Sequence, residues 1–474
     1  MRVLVLEAST SAAKALVYDD EKGVVGTASE EYGPAIDAGG VHDARAVYEL
    51  VVRLGRNVAE GNDIAAIGLS GVWHSILALD TNLKPAGKAY LWNFTGTNRI
   101  CREIRDQKEK ALAIYRNTGC MPNITYQPYS LLYMKKNGLD LADKLFCSQA
   151  GYNFLQLTGE RLETKNIVSG MGLLNTHELR YDDGILELCG IRPEQLGALV
   201  DYRSHRPLTA EGAAALGVAP GIPVVPPHSD GGLNQIGNGA MRAGRMTFSV
   251  GTSAAIRLTT DHPVLSDPPA TWCYVGADGW MSGAATNGAC NCVNWFVRTL
   301  LRDKWSFDEL GVRLLDEGPA PVFLPFNFGE RCPGWEDTRR GGFQDLAGSD
   351  SPEVLFRAVS EGVLFNIYQC YRILTPLSGV PDRIILSGGI LNSPKWAQMA
   401  ADIFQREMHL SDNPNASVLG GAALALHAAG GLDDLHGFGD IALESVAPRP
   451  GAAAAYQKKF NRYLECYEAM KGTP

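Results

Sequence analysis

Two α/β domains built on one plan, facing each other across a central cleft, are what the sequence predicts. Three observations predict it. The chain has 474 residues, more than one hydrophobic core usually organises, which favours two domains of roughly 200 residues or more. The tetrapeptide Thr10-Ser11-Ala12-Ala13 recurs as Thr252-Ser253-Ala254-Ala255. Each copy lies between two apolar runs, Val3 to Leu6 and Ala15 to Tyr18 in the first half, Met246 to Val250 and Ile256 to Thr259 in the second. In both halves helix, strand and helix patterns follow, and the change of halves falls near Gly239 to Gly244. The expected domains are 1–240 and 241–474.

Arg2 to Leu6, Lys14 to Tyr18 and Gly23 to Glu30 read as an antiparallel meander. Asp43 to Glu60 follows with Val47, Leu50, Val51 and Leu54 at helical spacing behind a His42-Asp43 cap. Ile64 to Leu69 is a short strand ending at Ser70-Gly71, and Arg99 to Tyr115 is a charged, solvated helical region. Residues 120–220 alternate helices and loops and carry no chemistry above background. Ala284 to Leu301 reads as a helix, Leu324 to Leu346 as a loop rich in Gly, Pro and aromatics, and Pro352 to Leu374 as a helix. Arg383 to Leu386 is a strand closing on Ser387-Gly388-Gly389. Helices follow at Ser393 to Phe404 and Ser417 to Ala429, and the tail from Ala452 to Met470 reads as a polar helix.

Composition removes several function classes. With 45% apolar and 20% charged residues the chain is globular, and 43 basic against 52 acidic residues, a net charge of −9, disfavour a nucleic-acid binder. An anionic substrate must then be held by local donors. The ten cysteines form no CxxC pair and read as buried reduced thiols. No run of about 18 apolar residues could span a bilayer, and the N-terminus opens directly as a strand, so a cytoplasmic protein is expected.

The chemistry centres on Pro226 to Ile256. Asp230 follows the apolar run Ile222 to Pro227 and precedes Gly231-Gly232, the setting of a carboxylate exposed at a strand end or of an ordinary turn carboxylate. A Gly/Ser/Thr turn between strands offers backbone N–H groups and hydroxyls suited to phosphate oxygens, although such turns are also common hairpin chemistry. Two in matching positions could grip a polyphosphate from both sides. Gly388-Gly389 allows close approach of a flat ring or a phosphate to backbone. Phosphoryl transfer to a hydroxyl needs positioned phosphates, magnesium and a carboxylate to take the proton. Asp230 fits the base, and Glu7, ending the first strand, could hold Mg2+ through water. His74, after Ser70 at a strand end, could bond a polyol or be satisfied within its turn.

These residues resemble the FGGY family of carbohydrate kinases, within the actin-like, ribonuclease-H-like ATPase superfamily, from Arg2 to about Gly430. The resemblance rests on the Thr10 to Lys14 turn, Leu69 to Ser75, Ser229-Asp230-Gly231 with Gly237 and Gly239, Val250 to Ser253, Leu324 to Gly341, Glu361-Gly362 and Ser387 to Gly389. Ala113 to Gly119 and Glu361 to Asn366 are most similar to gluconokinase segments. The resemblance implies two ribonuclease-H-like domains, ATP and Mg2+ as cofactors, and Asp230 as general base. Trp73, His74, Trp92 and Asn93 would face the acceptor. Thr10, Ser11, Lys14, Gly251, Thr252 and Ser253 in the two turns would hold phosphates, Asn287 and Gly288 would also bind the nucleotide, and Gly388, Gly389 and Asn392 would line the adenine site. The implied partner is a small sugar or sugar acid, gluconate favoured, with no nucleic acid or membrane and a homodimer as one assembly open to it. Two departures stand out. The family's Asp-x-Gly-Thr is Glu7-Ala8-Ser9-Thr10 here, which moves the acid by about 1.5 Å, and the gluconokinase-type Trp-x-Asp-x-Arg is Trp92-Asn93-Phe94-Thr95-Gly96. A xylulokinase-like ketose or polyol kinase, a catalytically weak ligand-binding or regulatory relative, and an actin-like filament or chaperone ATPase are the competing readings.

Overall fold

The computed structural model describes residues 1–439 and 442–471. Two seven-stranded sheets among them carry the fold. In the first, Arg2–Ala8, Ala12–Asp19 and Gly23–Glu31 form the meander, and Ile64–Gly71 runs parallel to Arg2–Ala8 on its other side. The second sheet repeats this order. Arg245–Val250, Ala254–Thr260 and Trp280–Thr286 are antiparallel neighbours, and Arg383–Ser387 runs parallel to Arg245–Val250.

Val3 to Leu6 are all buried because helices cover both faces of the first sheet, which is why this strand reads as an unbroken apolar run. One cover is Ala44–Ala59, whose first turn is capped by the Asp43 carboxylate accepting from the Ala46 N–H at 3.0 Å. Its Val47, Leu50, Val51 and Leu54 pack on Leu4, Leu6 and Val17. The other cover is Ala416–Ala428, a helix from the far end of the chain. Its Val418, Ala422, Ala425 and Leu426 close over Val3, Val5, Leu16 and Ala66.

Small residues make this crossing possible. A Cβ on Gly420 would lie 2.1 Å from the Leu233 carbonyl oxygen, and one on Gly237 would lie 1.9 Å from that of Ala416. The helix Asp230–Gly237 is thereby pressed against Ala416–Ala428. Gly420→Ala is expected to destabilise the protein by about 1–3 kcal/mol, since backbone rather than a movable side chain must give way; thermal melting of the variant beside the parent checks it.

Several local expectations are corrected. Ala284 to Thr286 belong to the strand Trp280–Thr286, paired with Ala254 to Ile256, and only Cys290–Trp295, extended by one wide turn to Leu300, is helical. Strand pairing overrides alanine's helical preference there. The single solvated helix expected over Arg99 to Tyr115 is two, Asn98–Arg105 and Lys108–Thr118, and Ile100, Cys101 and Ile104 are buried in the core of the second domain. Gly231 and Gly232 open a helix rather than a turn, capped by Ser229, whose Oγ accepts from the Gly232 N–H at 2.9 Å. The Leu324 to Leu346 segment includes paired strands at Val322–Leu324 and Gly342–Gln344. Ala452–Ala469 is not a polar surface helix, because it buries Tyr456, Phe460, Tyr463 and Tyr467. The ten cysteines are free thiols, all but the half-buried Cys290 fully enclosed. Among the described residues no helix is long and apolar enough to cross a membrane.

Candidate active site

Asp230 is the first residue of its helix, at the carboxyl end of the first sheet where His228–Ser229 pairs with the end of Ile64–Gly71. Its Oδ1 accepts from the Gly231 N–H at 2.7 Å. Burial, reinforced by the Glu7 carboxylate nearby, pushes its pKa up to about 6 against the partial relief given by Arg257. A carboxylate held there is ionised at neutral pH and basic enough to accept a proton.

An aromatic and cationic wall stands beside it. Trp73 is buried, its indole N–H donates to the Asn166 carbonyl at 2.8 Å, and its ring meets Tyr274 edge-on at 4.7 Å. It therefore supports the wall and offers no polar atom. The His74 Nδ1–H donates to the Gly170 carbonyl. Burial and the charge of Arg331 push the His74 pKa down to about 3, so the ring is neutral and presents Nε2 as an acceptor. Arg257 comes from Ala254–Thr260 and donates to Ser249 Oγ at 3.2 Å, while Arg331 reaches the Tyr274 hydroxyl at 3.5 Å. The Nε atoms of both arginines are buried without a hydrogen-bond partner, and neither forms an ion pair among the described residues.

Arg257, Arg331, Tyr274 and Asn166 were absent from the sequence-derived site. Arg257 is the fourth residue of Ala254–Thr260, where a lone charge in a strand is the only signal. Asn166 lies in the stretch read as devoid of chemistry, yet its Oδ1 accepts from the Ser229 N–H at 2.9 Å and so fixes the residue before Asp230.

Glu7 and the first turn form the opposite corner. Glu7 Oε2 accepts from Ser70 Oγ at 2.7 Å and from Ser417 Oγ at 2.6 Å, and Lys14 Nζ stands 3.5 Å from Oε1. Thr10 Oγ1 accepts from the Trp92 indole N–H at 3.0 Å, which ties the Trp92 loop to the turn, and Asn93 Oδ1 is buried without a partner. Ser11 is exposed at the tip of the turn.

In the second domain Gly251, Thr252, Gly389 and Asn392 line a cavity of about 610 Å³ together with Phe307 and Trp396. Thr252 and Ser253 are both exposed, and Ser253 lies outside the cavity lining. Gly388, with φ +93°, lies where a Cβ would come 2.6 Å from the Val250 carbonyl oxygen, so only glycine brings this turn against the end of Arg245–Val250. Asn287 and Gly288 do not line the cavity. Gly288 packs on the Pro325 carbonyl, and Asn287 donates to the Phe328 carbonyl at 3.2 Å. Among the described residues no three His, Cys, Asp or Glu side chains cluster as a metal site. A cation here would depend on Glu7 Oε1, the oxygen that the two serines leave free, acting through water and alongside phosphate oxygens.

Duplicated sheets of this order, with an acid at the end of the first strand and a nucleotide-sized cavity behind the matching strand of the second, define the actin-like ATPase architecture. The profile of the N-terminal domain of the FGGY family of carbohydrate kinases matches residues 2–237, and that of its C-terminal domain matches residues 246–429. The chain belongs to this family and is a phosphotransferase. It is 27% identical to the gluconokinase of Bacillus licheniformis, covering 85% of this chain and 82% of that one. It is 25% identical to the xylulose kinase of Lactococcus lactis, covering 98% and 96%. The crystal structures of a gluconate kinase and of a ligand-bound xylulose kinase from Lactobacillus acidophilus each superpose with a TM-score of 0.93 at 27% identity, over 100% of this chain and 99% of theirs. Likeness of fold thus does not separate an acid acceptor from a ketose.

Proposed function

We propose that this kinase transfers the γ-phosphate of ATP to a hydroxyl of a sugar acid, gluconate favoured, with Asp230 as general base. The observation that carries the choice of acceptor is the pair Arg257 and Arg331. Each is a half-buried guanidinium beside Asp230 and His74, and each has a buried Nε without a hydrogen-bond partner among the described residues. A buried cation without a counter-charge is costly, and a planar carboxylate is the group a guanidinium fork matches best. The neutral ketose reading leaves Arg331 without a counter-charge, whereas Arg257 keeps the partial one that Asp230 supplies.

In this reading His74 Nε2 and Asn93 Oδ1 accept from acceptor hydroxyls, Arg331 and Arg257 hold the carboxylate end, and Asp230 takes the proton of the attacking hydroxyl. The turn at Thr10 to Lys14 and the turn at Gly251 to Ser253 would hold the phosphates from two sides, with the adenosine in the cavity lined by Gly389 and Asn392. Mg2+, held through water by Glu7, would neutralise phosphate charge. Closure of the domains would exclude water before transfer.

The test is ADP release with ATP and Mg2+ over a panel of D-gluconate, other aldonates, D-xylulose and glycerol. Gluconate is expected to give the highest kcat/KM. A higher value for xylulose would replace the acid reading by the ketose one, and nucleotide binding without stimulation by any acceptor would identify a catalytically weak relative.

A further inference from the structure

Arg331 lies in a segment that three distant parts of the molecule grip. On one side, Asp337 accepts from Arg105 Nη1 at 3.1 Å and from Asn123 Nδ2 at 2.6 Å, both groups from the first half of the chain. From below, the Cys332 N–H donates to the Ala285 carbonyl of the second sheet at 3.0 Å, and the Trp335 N–H donates to the Arg331 carbonyl at 2.7 Å. From the third side comes the C-terminal helix Ala452–Ala469, which lies beyond residue 429, where the match to the family's C-terminal domain ends.

The grip of that helix is specific. The Tyr467 hydroxyl donates to Glu330 Oε1 at 2.6 Å. The same carboxylate accepts from the Gly334 N–H at 3.0 Å and faces Arg339 Nη1 at 2.7 Å, and Arg339 stacks over the Tyr467 ring at 5.1 Å. Glu330 is buried and immediately precedes Arg331. A carboxylate satisfied from three directions leaves the peptide it belongs to one orientation. Tyr456, Phe460 and Tyr463 anchor the helix on the same face, and Lys459 Nζ reaches Glu361 Oε1 at 2.6 Å.

We infer that the C-terminal helix is a positioning element of the acceptor site, in which Tyr467, through Glu330, aims the Arg331 guanidinium at the acceptor. The inference rests on the reading that Arg331 holds the acceptor's carboxylate. Tyr467 touches neither substrate. It acts on acceptor affinity from outside the cleft, and the nucleotide cavity, lined by other elements, is insulated from it.

Tyr467→Phe, which removes only the hydroxyl, tests this in the full-length enzyme. KM for gluconate is expected to rise about 2- to 30-fold, the range of a coupling carried through a packed network. ATP affinity is expected to stay at the parent value, while the melting temperature falls modestly because a hydrogen bond to a buried carboxylate is lost. In an Arg331→Lys background the same change should raise KM no further. An unchanged KM in Tyr467→Phe, a parallel loss of ATP affinity, or effects that add to those of Arg331→Lys would each overturn the inference. If Arg331→Lys leaves gluconate KM unaltered, the acid reading fails on its own account. The cycle is then read on xylulose, where a KM insensitive to Tyr467→Phe overturns the inference and a raised, non-additive KM sustains it.

Discussion

Asp230→Asn is expected to lower turnover about 100- to 10,000-fold, the contribution of a positioned general base, while nucleotide binding persists. The amide preserves volume and can keep the contact from the Gly231 N–H, and the helix is capped by Ser229 rather than by Asp230, so the fold has no reason to change. Single-turnover kinetics together with nucleotide titration separate the two effects. Unchanged turnover would remove Asp230 from the mechanism.

The same group sets the acid limb of the pH profile. Its pKa is raised from 3.8 to about 6 by burial and by Glu7, so the carboxylate is lost as pH falls through about 6, and kcat/KM should decline about tenfold per unit below that point. His74, pushed down to about 3, is neutral throughout this window and adds no second inflection. The limb should vanish in Asp230→Asn, leaving only the residual rate.

Arg331→Met is expected to raise KM for gluconate about 10- to 150-fold, the worth of a hydrogen bond to a charged group converted to affinity, with KM for xylulose little changed. Its effect on the free protein runs the other way. Replacing a buried guanidinium that has no counter-ion by an apolar side chain of similar length is neutral or stabilising, so the melting temperature should hold or rise. Steady-state kinetics on both acceptors with a melting curve reads the three quantities. A KM for gluconate equal to that of the parent would end the assignment of Arg331 to the acid.

Much of the fold was legible because its strands are covered on both faces. Val3 to Leu6 is apolar at every position and Met246 to Val250 keeps apolar residues at Met246, Phe248 and Val250, and each is followed by a turn of small polar residues, so the duplication shows without any contact information. The long helix Pro352–Ser378 shows for the complementary reason, since Leu355, Phe356, Val359 and Val363 keep a helical spacing. Asp230 was visible because it follows an apolar run and precedes two glycines. Arg257 and Arg331 were not, because an arginine in a strand or loop carries no sign of what stands opposite, and the aromatic wall beside them comes from Trp73, Tyr126 and Tyr274, far apart in the chain. Asn98–Arg105 was misread because its surface charges outnumber the three apolar side chains with which it enters the other domain's core. The place of Ala416–Ala428 was beyond local pattern altogether, since its small residues show that something comes close and not what.

The return of Ala416–Ala428 to the first sheet has a consequence for biogenesis. As the chain leaves the ribosome, residues 1–237 emerge with one face of their sheet bare, exposing Val3, Val5, Leu16 and Ala66 until the covering helix, a whole domain further along the chain, is made. The N-terminal half is therefore half of a joint structure, not a unit that can finish folding ahead of its partner. Whatever guards that apolar strip during synthesis, a chaperone or a provisional collapse, must yield to a segment translated long after it.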